Sequence, residues 1–167
     1  LTRKLIALGH KKIAIQVGQT GWEKYKRGEF MHYSFVARVE SYEAAMKAAG
    51  LKPIPLLGYN PDELASQLKA EDVTALIVHG EISMAYIQAA HKLGWEIPRE
   101  LTVASLDIEA RVPRPQVVGG FTYDRYAAGQ KAAALLLEWL GAGKKSIPSE
   151  TFTGDYREGD TIAGPRK

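Results

Sequence analysis

The chain has 167 residues, 46% of them hydrophobic, which suffices for one compact core, and its 22 Lys and Arg against 19 Asp and Glu leave a formal charge of +3. Much of the surplus lies near the two ends, in Arg3, Lys4, Lys11, Lys12, Lys144, Lys145, Arg166 and Lys167, and charge so dispersed makes no nucleic-acid patch. The absence of cysteine excludes a disulfide framework, a thiolate nucleophile and a cysteine-based zinc site, and no stretch approaches the roughly 18 apolar residues of a membrane span.

Short β-rich runs alternate with helical stretches, which predicts an α/β fold with a parallel sheet and helices on both faces. A helix over residues 2–8 is expected to stop at Gly9, and IAIQV at 13–17 reads as a buried strand. The connection from Gly18 to Tyr33 is longer than the usual six or so residues and contains Gln19, Trp22, Tyr25 and Phe30. From Phe35 the apolar residues Val39, Tyr42, Met46 and Ala49 recur at helical spacing as far as Gly50. The second strand, at 54–57, is flanked and interrupted by Pro53 and Pro55, which donate nothing to a ladder and so belong at a sheet edge. An outermost second strand is what the flavodoxin-like order 2-1-3-4-5 requires.

Asn60-Pro61-Asp62-Glu63 opens the next helix, with Asn as cap, Pro at the first helical position and acids facing the positive helix end. Strand three is expected at 73–78, a helix at 81–93 ending before Gly94, and strand four at 101–106 with Asp107 at its carboxyl end. Residues 112–120 hold two prolines and two glycines and read as a crossover, leading through Phe121-Thr122-Tyr123 into a helix at 124–140. The run Ala132-Ala133-Ala134-Leu135-Leu136-Leu137 makes that helix apolar on too many sides for one sheet, implying cover from outside the chain. Residues 150–153 are the expected last strand.

Several chemistries are excluded. Gly141-Ala142-Gly143-Lys144 follows a helix and is followed by no Ser or Thr, so it reads as a helix cap and turn rather than a phosphate loop. His10, His32, His79 and His91 have no metal-ligand spacing, no G-x-S-x-G occurs, and the acidic positions of a response regulator are held by Gly18-Gln19 and His79-Gly80. No cofactor is expected. Three features survive at the carboxyl ends of the strands, where open α/β proteins bind ligands. Arg38 stands near a helix N-terminus, where the macrodipole disfavours a cation and a carboxylate or ligand must compensate it. Asp107 follows strand four and is placed to accept from two neighbouring hydroxyls, unless it only caps the following turn. In the 18–33 connection, Trp22 is a candidate to cover an apolar sugar face, with an oligomer contact or a loose insertion as the alternatives.

Four segments together resemble the LacI/GalR family of transcriptional regulators: LIALGHKKIAIQVG at the start, Arg38-Val39-Glu40-Ser41-Tyr42-Glu43-Ala44-Ala45, LGWEIPRELTVASLDIEA, and the stretch from Tyr123-Asp124 to Gly129. The resemblance implies a two-lobed, type I periplasmic-binding-protein-like effector domain. Residues 1–119 are then the C-terminal lobe, 120–145 the crossover and a helix of the N-terminal lobe, and 146–167 a return segment and tail. Opening at Leu1, the chain is expected to be the downstream piece of a larger protein. The resemblance further implies a cytoplasmic homodimer, clear of membranes, that binds a sugar or similar effector and touches operator DNA only through a helix-turn-helix lying outside this chain. Arg38 and Asp107 match the family's effector-contacting arginine and aspartate, and Tyr123 and Asp124 fall at the lobe crossover. His79-Gly80 stands where the family has Asn-Asp, and Ser41 where it has Gly, which leaves the effector open among a modified sugar, another metabolite, or a ligand held mainly from the other lobe. A transport sugar-binding protein outside the cytoplasm uses the same lobes and is the alternative; an enzyme lacks any base, nucleophile or metal constellation.

Overall fold

The computed structural model describes residues 1–80, 82–108, 117–142, 146 and 149–166. The elements are α1 (Thr2–Ala7), β1 (Ile13–Val17), α2 (Gln19–Lys26), α3 (Tyr33–Ala48), β2 (Ile54–Leu57), α4 (Pro61–Ala70), β3 (Ala75–Val78), α5 (Ile82–Lys92), β4 (Thr102–Ser105), β5 (Gly119–Thr122), α6 (Arg125–Ala142) and β6 (Asp155–Arg157). One sheet runs in the order β2-β1-β3-β4-β5-β6, parallel throughout except for the antiparallel last pair. The expected 2-1-3-4-5 order is therefore present, with one more strand added beside β5.

Strands β1, β3 and β4 are buried along their whole length, as expected of central parallel strands covered on both faces. Their side chains divide by the two-residue pleat. Ala14, Leu76, Val78 and Val103 join Leu64 and Leu68 of α4 and Tyr86 and Ile87 of α5 in one core. Ile13, Ile15, Ala75, Ile77 and Ala104 join Leu5 of α1 and Val39, Tyr42 and Met46 of α3 in the other. Strand β2 lies at the sheet edge, pairing only with β1, and Pro55 is opposite Ile15. Its missing N–H is thus tolerated for the reason the sequence suggested. Tyr42 fastens α3 to the sheet: its hydroxyl donates to the Ile13 carbonyl at 2.7 Å and accepts from the Ile54 amide at 2.8 Å. Burial pushes its pKa up to about 12.

Three expectations need correction. The 18–33 connection is not a long loop, because residues 19–26 form α2, whose Trp22 and Tyr25 pack against the second core. The last strand is Asp155–Arg157 and not 150–153, with Tyr156 set edge-on to Phe121 at 5.7 Å. The segment 117–120 is in part a strand: Gly119 and Gly120 belong to β5, and a Cβ at Gly120, where φ is +145°, would collide with the Ser105 carbonyl. Residues 112–116 of the expected crossover, Glu81 at the expected start of α5, and Gly143 and Lys144 of the excluded phosphate loop lie outside the described residues.

Beyond β6 the chain runs along the amino-terminal edge of the sheet. The Thr161 hydroxyl donates to the Val103 carbonyl at 2.6 Å and accepts from the Gly119 amide at 3.0 Å, and the Ala163 amide donates to the Thr102 hydroxyl at 3.0 Å. His10, 1% exposed, holds the same strap, its Nε2 donating to the Ala163 carbonyl at 2.7 Å while Nδ1 meets the Thr74 hydroxyl at 2.9 Å. Helix α6 contrasts with all of this. None of its described residues is buried, and Leu136, Leu137 and Leu140 are exposed, Leu137 at 69%.

Candidate functional site

Strand order reverses between β1 and β3, and the carboxyl ends of these strands open into a crevice, the usual ligand position in such sheets. A cavity of about 230 Å³ lies there, lined by Gln16, Val17 and Gly18 at the end of β1, Val78 and His79 at the end of β3, Leu106 beyond β4, Tyr59 beyond β2, and Phe35 and Arg38 of α3. The last apolar residues of the strands make its floor. Gln16 sits within an otherwise apolar strand, and its side-chain amide donates to the Gly58 carbonyl at 2.6 Å, fixing the turn that carries Tyr59.

Arg38 reaches the cavity from the second turn of α3. Its Nε donates to the Ser34 carbonyl at 2.8 Å and an Nη to the Ser34 hydroxyl at 3.4 Å, which orients the guanidinium along the helix. No carboxylate among the described residues lies within ion-pair distance of it. Burial is the larger influence on its pKa and lowers it, while the more distant Asp107 charge acts the other way.

Asp107 and His79 meet at one side of the cavity. Asp107 Oδ2 lies 3.9 Å from His79 Nε2 and 2.6 Å from an Nη of Arg125, while its backbone amide donates to the Ser105 hydroxyl at 3.3 Å. Burial first, then the Arg38 charge, lower the His79 pKa against the opposing pull of Asp107. Arg125 comes from the first turn of α6, and its Nε donates to the Tyr123 hydroxyl at 3.3 Å with the guanidinium 5.3 Å from that ring's centre. Those hydrogen bonds to Tyr123 and Asp107 raise its pKa. The cluster therefore joins β3, β4, α3 and α6, with Arg38 and Arg125 facing one described carboxylate.

Nothing among curated proteins matches the sequence. The family model of the periplasmic-binding-protein-like domain matches residues 2–161. The chain belongs to that family. Solved structures of LacI-family regulators superpose on this periplasmic-binding-protein-like chain along nearly its whole length. One from Corynebacterium glutamicum is 25% identical with a TM-score of 0.72, covering 99% of this chain and 62% of its own. One from Enterococcus faecium with bound ribose is 16% identical at TM-score 0.77, with coverages of 99% and 61%. A sugar-binding regulator from Escherichia coli complexed with phosphate is 18% identical at TM-score 0.72, with coverages of 98% and 59%. The chain thus spans about three fifths of the length of the structures it resembles.

Within this periplasmic-binding-protein-like domain, the structure brings together Arg38, His79 and Asp107 and sets Tyr123 beside them through Arg125. Two other sequence candidates lie elsewhere. Trp22 does not line the cavity; its ring packs on the second core and carries Lys26 at 4.4 Å. Asp124 caps α6, its Oδ1 accepting from the Tyr126 and Ala127 amides at 2.9 and 3.0 Å, so this oxygen is already committed. Sequence reasoning passed over Arg125, Gln16 and Tyr59. The first two carried a signal: Arg125 is a cation at a helix N-terminus, like Arg38, and Gln16 is a polar residue inside a buried strand.

Proposed function

We propose that this chain is the ligand-sensing part of a LacI/GalR-type transcriptional regulator, a binding function without catalysis. A sugar or similar small effector enters the crevice at the strand reversal, where Arg38 donates to it and Asp107 accepts from its hydroxyls. The observation carrying this reading is the convergence of Arg38 and Asp107, from α3 and the end of β4, on one side-chain cluster beside a cavity. The ribose and the phosphate in the Enterococcus faecium and Escherichia coli structures support a small polar or anionic effector.

In this reading residues 1–119 form one lobe and α6 belongs to the second, which covers Leu136, Leu137 and Leu140. The whole protein is a cytoplasmic homodimer that meets operator DNA through a helix-turn-helix outside this chain. Effector binding shifts the lobes and so changes how the dimer presents that element. Titration of the intact regulator onto operator DNA, with and without effector, tests this: operator affinity changes by the coupling factor, commonly about 5- to 150-fold. An intact protein that binds no DNA contradicts the regulator reading.

A further inference from the structure

Among the described residues, the cavity's lining contains two nitrogen-bearing side chains that can donate, Arg38 and His79, besides Gln16, and no carboxylate. Arg38 spends N–H groups only on Ser34, at 2.8 and 3.4 Å, leaving most of its five donors for whatever fills the cavity. The described acidic group next to the cavity, Asp107, is bound by Arg125 at 2.6 Å with His79 at 3.9 Å on the same oxygen. Positive charge therefore exceeds negative in the described cluster, and among the described residues no carboxylate lies within ion-pair distance of the half-buried guanidinium of Arg38. Each hydroxyl of a neutral polyol brings one donor beside its acceptor lone pairs and wants an acceptor facing it. An anion supplies the missing charge and accepts from the guanidinium fork.

We propose that the cavity binds the anionic group of its effector, a phosphoryl or carboxylate group on a small polyol, with the free N–H edge of Arg38 as principal donor and His79 as the second. The proposal rests on the cavity being the effector site and specifies the class of effector. The hydroxyls of the same molecule then face Tyr59 and Gln16 along the cavity wall.

Nuclear magnetic resonance titration of the ¹⁵N-labelled protein tests it, following the Arg38 guanidinium N–H groups and the His79 ring. Inorganic phosphate is the minimal probe; ribose 5-phosphate, ribonate and ribose separate phosphoryl, carboxylate and neutral arms. Inorganic phosphate and at least one of the two anionic pentose derivatives are expected to move both signals, and the one that binds tighter names the group. Arg38→Gln is expected to weaken that binding about 10- to 100-fold. If Arg38→Gln does not fold, Arg38→Lys, which keeps the charge and loses the fork, is expected to show a smaller loss of the same sign. Ribose alone moving both signals, with every anion silent, overturns the anionic assignment and leaves the effector site standing. Silence from all four overturns the assignment and counts against the site as well. Anion affinity unchanged in the folded Arg38 variant overturns it by placing the anion elsewhere.

Discussion

An Nη of Arg125 lies 2.6 Å from Oδ2 of Asp107, so a residue in the first turn of α6 holds the carboxylate that ends β4. Any ligand that takes Asp107 must share it with, or remove it from, a side chain of α6. Because Arg125 is half exposed, the pair itself contributes only about 0–1 kcal/mol. Arg125→Met is therefore expected to leave the unfolding free energy nearly unchanged. It is also expected to raise the His79 pKa, since one repelling cation is gone and Asp107 is freed for the imidazole. Following His79 through a pH titration of the variant checks this; an unmoved His79 contradicts the electrostatic coupling.

Tyr42→Phe removes the hydroxyl that bridges the Ile13 carbonyl and the Ile54 amide deep in the second core. Both partners are left in a dry environment, and the expected loss is about 1–3 kcal/mol in urea unfolding. A loss under about 0.5 kcal/mol, the range of an ordinary surface change, would show that water reaches the gap.

His10 makes stability depend on pH with a definite sign. Burial lowers its folded-state pKa, so the unfolded chain, whose histidine titrates near the ordinary 6.5, binds the proton first on acidification. Its contribution is fully present above that value and is lost as pH falls through the region below it. His79, also lowered, adds the same sign, discounted because its side chain is half exposed. Urea midpoints measured between about pH 8 and 5 are expected to fall on the acid side, and less steeply in His10→Gln. An equally steep fall in that variant would assign the dependence elsewhere.

The parts of the fold that could be read in advance are those where one local constraint decides. Strands β1, β3 and β4 are continuous apolar runs because both their faces are covered, and Pro55 can sit only where its missing donor costs nothing. Arg38 and Asp107 stood out as charges at strand or helix ends facing a crevice. Helix α2 did not stand out, because its cap residue Gly18 makes no side-chain bond and Gly21 sits within it, so its stability comes from packing Trp22 and Tyr25. The strap formed by Thr161 and Ala163 was equally hidden, since its bonds to Val103, Gly119, Thr102 and His10 join positions far apart in sequence. Arg125 escaped because its partner Asp107 lies 18 positions away.

The exposed leucines of α6 make a further distinction. Leu137→Glu is expected to change the stability of the 167-residue chain by no more than about 0.5 kcal/mol, since the side chain is 69% exposed. In an intact two-lobed protein the same change buries a charge and destabilises by several times that amount. Thermal unfolding of both forms separates the cases; equal effects in the two would mean that no second lobe covers this helix.

The most direct measurement for the effector site is a thermal-shift screen of the intact protein against sugars, sugar phosphates and sugar acids, with every hit repeated on Arg38→Ala and Asp107→Ala. A ligand at 100 times its Kd stabilises by about 2.7 kcal/mol, well within what such a screen resolves. At least one hit is expected whose stabilisation is largely lost in both variants, each of which remains folded. A hit whose stabilisation survives both substitutions would contradict this assignment of the site.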